Sequence, residues 1–211
     1  MSQGLPQRLW LNEFIRRENR MDLQKLNVKV FIERSEGIAL TDFIDIFHGW
    51  IQASDGDYHD VADYSHMQAG PGIVLVANDA NVSIDETENR RGLLFNQKSR
   101  MSGTNQEKLG TVFEAALENC RKLEAEPALR GKLRFATGEA LISVNDRLLA
   151  ANSPDFFDTI RSEVEAFAKR LFGDGTVALD GNGDSRWRLS VRLKTAVPTD
   201  LQSLLNNLRH N

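Results

Sequence analysis

Between Ile73 and Gln97 the chain carries three strand-like segments whose connecting turns are too short to hold a helix. Ile73 to Ala77 is a short apolar run without alternation, as expected of an internal strand covered on both faces. Val82 to Asp85 alternates, and Gly92 to Gln97 follows, with turns at Asn78 to Asn81 and Glu86 to Arg91. A parallel crossover needs roughly a dozen residues or more, so these links predict an antiparallel meander.

Helical patterns stand on either side of further strand signals. Thr41 caps a predicted helix with apolar positions Leu40, Phe43, Ile44, Phe47, Trp50 and Ile51, stopped by Ser54 to Asp57. Gln106 to Glu126 carries a stripe from Leu109 to Leu123, and Asp155 to Phe172 a second one, opened by Ser153-Pro154 and stopped by Gly173. Strands are predicted at Val28 to Glu33 (half-buried by its alternation), Lys132 to Ala136, Ala140 to Val144, and in a hairpin of Val177 to Asp180 with Arg186 to Lys194. Pro198 opens a last short helix through Leu208.

Strands joined by short turns and interrupted by helices lack the regular alternation of a doubly wound sheet. The fold class predicted is α+β: a mostly antiparallel sheet with long amphipathic helices packed on one face. Residues 27–211 read as a single domain. Residues 1–26 read as an N-terminal appendage, in which Leu9, Trp10, Leu11, Phe14 and Ile15 suit a short amphipathic helix that docks on the body or on a second subunit. The two halves, Val28 to Val82 and Leu141 to Leu193, each run strand, capped helix, hairpin. A duplication would explain this, and so would chance likeness between two capped helices, which is the plainer account.

The 211 residues are 41% hydrophobic and 27% charged, which excludes wholesale disorder. A net charge of −4 gives no dominant basic surface, so a nucleic-acid partner is not expected. The single cysteine, Cys120, excludes an intrachain disulfide framework and falls on an apolar helical face, as a buried thiol would. No apolar run approaches the ~20 residues that span a bilayer, and the first twenty residues resemble no secretory signal. A soluble, cytoplasmic protein is expected.

Chemistry-bearing residues concentrate in one window. His48, His59 and His66 lie within nineteen residues, among Asp55, Asp57, Asp60, Asp63, Tyr58 and Tyr64. Were residues 58–67 helical, His59, Asp63 and His66 would share a face and suit a divalent metal with open positions; were they extended, that triad would dissolve. His66 is the candidate acid or base, with Asp63 or Asp60 as its carboxylate partner. His48 and Tyr64, with Arg91 and Arg188, are candidate ligand-binding residues. A satisfied polar cluster over the meander is the plain alternative for the same window.

Gly70-Pro71-Gly72 precedes a strand instead of linking a strand to a helix, so it reads as a turn and not as a phosphate loop. No cofactor motif is present. Basic residues recur around two strands, at Arg90, Arg91 and Lys98 and at Arg186, Arg188, Arg192 and Lys194. If brought together they would suit an anionic ligand or an acidic protein surface; if not, they are a solvated sheet face. The function expected is a module that binds a small-molecule ligand or protein partner through the His48–His66 region, as a homo-oligomer. The alternative is an enzyme, a hydrolase or lyase using His66 and a divalent metal.

Overall fold

A computed structural model describes residues 21–146, 154–173, 177–181 and 188–210. The elements are β1 (Leu26–Ser35), α1 (Asp42–Ala53), β2 (Tyr58–Tyr64), β3 (Gly72–Ala77), β4 (Ala80–Asp85), a 3-10 turn (Thr87–Asn89), β5 (Gly92–Gln97), α2 (Asn105–Ala125), β6 (Leu133–Val144), α3 (Pro154–Phe172), β7 (Val177–Gly181), β8 (Ser190–Thr195) and α4 (Leu201–Arg209). The strands form one eight-stranded antiparallel sheet in the order β2-β3-β4-β5-β1-β6-β8-β7. The fold is α+β. No helix among the described residues is long and apolar enough to cross a membrane.

Period-two patterning divides the sheet into two unlike faces. Val28 and Val30 of β1, Leu93 and Phe95 of β5, Ile142 of β6 and Val191 and Leu193 of β8 join one core cluster with Phe113, Leu117, Val164, Phe167 and Leu205 of the helices. The α2 stripe supplies the centre of this layer, and Cys120 is fully buried in it. A reciprocal capping box fixes the start of α2: Thr104 accepts from the Glu107 N–H while Glu107 accepts from the Thr104 N–H. Residues 21–26, read from sequence with the appendage, belong to the body, since Leu23 and Leu26 are buried in this core.

Two boundaries and one capping bond differ from expectation for identifiable reasons. The two segments predicted at Lys132 to Ala136 and Ala140 to Val144 are one strand, β6. Ile32 pairs with Phe135 and Val30 with Ala140, so the residues between bulge out and reverse the alternation. Thr41 has no side-chain cap bond; the Asp42 carboxylate instead accepts from the Ala39 N–H at 2.9 Å. The last helix starts at Leu201, where the Asp200 carboxylate accepts from the Ser203 N–H at 2.9 Å. Ser153, Arg186 and the hairpin turn at 182–184 lie outside the described residues.

Both halves lead from a central strand through a helix into a meander that returns to that strand, β5 to β1 and β8 to β6. The first meander has four strands and the second two.

The Gly70-Pro71-Gly72 turn owes its last residue to sterics. Gly72 has φ of 66°, and a β-carbon there would lie 1.9 Å from the Ile84 carbonyl oxygen. Gly72→Ala should therefore cost on the order of 3 kcal/mol or more, since the backbone conformation and the contact both oppose a side chain. Urea unfolding of the variant measures this.

Candidate functional site

The His48–His66 window does not form a shared hollow. Residues 58–64 are strand, not helix, so His59, Asp63 and His66 have no common helical face. His48 on α1, His59 and Asp60 on β2, Asp63 and His66 are all exposed, and Tyr64 is 41% exposed. The Asp63 carboxylate accepts from the Ser65 N–H at 2.8 Å. Its pKa is held down by the Ser65 hydroxyl and N–H, with the His66 charge a smaller contribution. Among the described residues, no three His, Cys, Asp or Glu side chains converge as a metal site requires. Tyr58 packs on Trp50, with ring centroids 6.5 Å apart, and Lys122 lies 3.7 Å over the Trp50 ring; these join α1, β2 and α2.

Polar groups converge instead on the sheet face opposite the helices. That face of β1 presents Asn27, Lys29 and Phe31, all at most 2% exposed, so the strand is buried on both sides and not on one as its alternation suggested. Lys29 Nζ lies 2.5 Å from Asp85 Oδ1 of β4 and donates to the Thr87 carbonyl at 3.0 Å. Between them, β5 offers Gly92, where an added β-carbon would lie 3.0 Å from Lys29 Cε. The missing side chain gives the lysine stem its path.

Beyond this pair lies an ionic cluster over Phe31. Glu139, in the β6 bulge, accepts two bonds from Arg90, at 2.8 and 3.1 Å, and one from Arg192 at 2.8 Å. Lys194 Nζ is 3.9 Å away. The Arg90 and Arg192 guanidinium carbons lie 3.8 and 5.1 Å from the Phe31 ring centroid. The second Arg192 nitrogen donates to Glu88 at 2.8 Å. Glu88 and Asn89 both hold positive φ, 62° and 55°, a conformation costly for side chains other than glycine. Arg90, above all, and Arg192 hold the Glu139 carboxyl at a pKa of about 2.

The cluster borders an open groove of about 1050 Å³, lined among others by Arg34, Arg134, Glu139, Lys194, Thr195 and Asp200. Here β8 pairs with β6 only from Glu139 onward, so among the described residues no strand lies beside the outer edge of β6 before Glu139. Glu124 occupies one group of that edge, accepting from the Phe135 N–H at 2.8 Å. Arg34, Arg90, Arg134 and Lys194 are exposed around the groove.

Of the basic residues marked in the sequence, Arg90 and Arg192 meet although β5 and β8 are separated by β1 and β6. The two named there for ligand binding lie elsewhere. Arg91 ties the Glu86 carboxylate, at 2.8 Å, to the Ile38 carbonyl at 2.9 Å, and Arg188 is exposed two residues before β8 begins. Glu139, Phe31, Glu88 and the Lys29–Asp85 pair were not singled out in the sequence. A lysine and a phenylalanine alternating with Val28 and Val30 was the available sign. No protein-family model matches this chain, and no curated protein is detectably similar to it.

Two outcomes follow. Lys29→Met strands the Asp85 charge and should cost about 3–5 kcal/mol, whereas adding Asp85→Leu should restore most of it, as urea unfolding would read. The Glu139 pKa is depressed in the folded state, so its contribution is present above the ordinary glutamate pKa and is lost as pH falls toward about 2. Between about pH 4.5 and pH 2 the stability gap between the parent and Glu139→Gln should therefore shrink, as acid-denaturation curves would show.

Proposed function

We propose that this protein is a binding module whose groove beside Glu139 receives an extended, acidic segment of a partner protein. The observation that carries the reading is the bracing of Arg90 and Arg192 by Glu139 over Phe31, next to exposed Arg34, Arg134 and Lys194. A carboxylate that stays ionised to low pH fixes the guanidinium planes, and preorganised planes lose less freedom when they meet a second anion. The outer edge of β6 before Glu139, beside which no described strand lies, adds backbone groups that an extended chain can use, as strand addition does elsewhere. The reading keeps the partner-binding role expected from sequence and moves it from the exposed histidines to the groove beside Glu139. Cys120 is buried away from the groove, with its thiol pKa pushed up by that burial.

Fluorescence anisotropy with a labelled oligoglutamate peptide tests this. Binding should weaken with added salt. It should fall at least tenfold in Arg134→Glu/Lys194→Glu, since exposed ion pairs contribute about 0.2–1 kcal/mol each and reversal adds repulsion. Equal binding of an uncharged peptide, or no effect of the reversal, would refute the reading.

A further inference from the structure

Two carboxylates meet the Arg192 guanidinium, and they are held in unlike ways. Glu139 accepts two bonds from Arg90 besides the one from Arg192, and its side chain is 19% exposed. Glu88 accepts from the second Arg192 nitrogen at 2.8 Å, and among the described residues that is its one side-chain bond. Its side chain is 48% exposed.

The backbone at Glu88 adds to the contrast. The link is anchored before it, where Thr87 receives the Lys29 ammonium on its carbonyl and donates its N–H to Asp85 at 3.2 Å. It is anchored after it, where the Arg90 guanidinium lies 3.8 Å from the Phe31 ring centroid. Glu88 and Asn89 lie between these points with φ of 62° and 55°, so two residues with side chains occupy left-handed conformations in succession. A single exposed ion pair contributes little to stability, so the Glu88 bond is readily exchanged. Glu139, with three charge-assisted bonds and less exposure, is not.

The same nitrogen is within reach of the groove. Arg192 and Lys194 stand two residues apart on one face of β8, and both approach the same Glu139 oxygen, at 2.8 and 3.9 Å. Glu139 and Lys194 line the groove. An extended chain advances about 7 Å over two residues. A segment with one carboxylate on Lys194 therefore brings the next on its face to Arg192.

We propose that Glu88 stands in for the partner: its carboxylate occupies, on the second nitrogen of Arg192, the subsite that a glutamate or aspartate side chain of the bound segment takes. The inference rests on the binding reading above and deepens it, by naming the group recognised and the resident one it exchanges. Glu139 stays on both arginines as the fixed half of the subsite. A competitor tethered in the same chain lowers the apparent affinity for the incoming carboxylate, because only the fraction with the subsite open can bind. Removing that competitor strengthens binding.

The test is a double-mutant cycle read by fluorescence anisotropy with labelled oligoglutamate. Glu88→Gln should bind about threefold more tightly than the parent, the size of a lost exposed ion pair. In the Arg192→Gln background the same substitution should change affinity by less than about 1.5-fold, since the two residues then no longer couple. Arg192→Lys, which keeps the charge and loses the fork, serves where Arg192→Gln does not fold. Equal affinity of the parent and Glu88→Gln, with binding intact, would leave the binding reading standing and overturn this one. A gain of the same size without Arg192 would assign the effect to net charge and overturn it as well. Peptide binding absent from the parent and every variant would remove both readings.

Discussion

The structure depends on β1 being paired on both edges and buried on both faces. It hydrogen-bonds to β5 on one side and β6 on the other, and so joins the two meanders into a single sheet. Val28 and Val30 face the helices, where apolar burial is worth about 25 cal/mol per Å². On the opposite face no such driving force can hold Lys29, so its ammonium must be neutralised where it lies. That one requirement accounts for the buried Asp85, the missing side chain at Gly92 and the inward approach of Thr87.

The Thr87 approach in turn shapes the functional candidate. The link that brings Thr87 to the lysine passes through Glu88 and Asn89 with positive φ and delivers Arg90 onto Phe31. Glu139 reaches the same place as the first residue of β6 in register with β8, opposite Lys194 and on the face it shares with Leu141 and Arg192. Structural charge pairing and the presentation of the arginines are therefore one continuous arrangement. A change that relaxed the link would loosen both.

The elements themselves were largely legible. The stripes of α1, α2 and α3 and the meander from Ile73 to Gln97 follow from period and turn length, and both survive in the structure. What was not legible depended on distant partners. The β6 bulge reverses the alternation between Phe135 and Ala140, which made one strand read as two. The second face of β1 looked solvated because Lys29 is charged, and nothing local announces that Asp85 lies two strands away. For the site, density of histidine and aspartate along the chain was a poor guide. In an extended segment, neighbours alternate between faces, so residues close in sequence are kept apart. Arg90 and Arg192, over a hundred positions apart, meet through sheet order alone.

The crowded acidic and histidine-bearing strand has its own consequence. β2 is the outermost strand on its side of the sheet, with exposed Asp60 and Asp63 along it, and its ladder is irregular between Tyr58 and Asp60. An outer strand leaves a row of backbone donors and acceptors that another chain's strand could extend. Charges and a local kink make it a poor template, because a second copy would set like carboxylates against one another. The stretch that drew notice as chemistry thus carries the charges and ladder irregularity that make a sheet edge hard to extend.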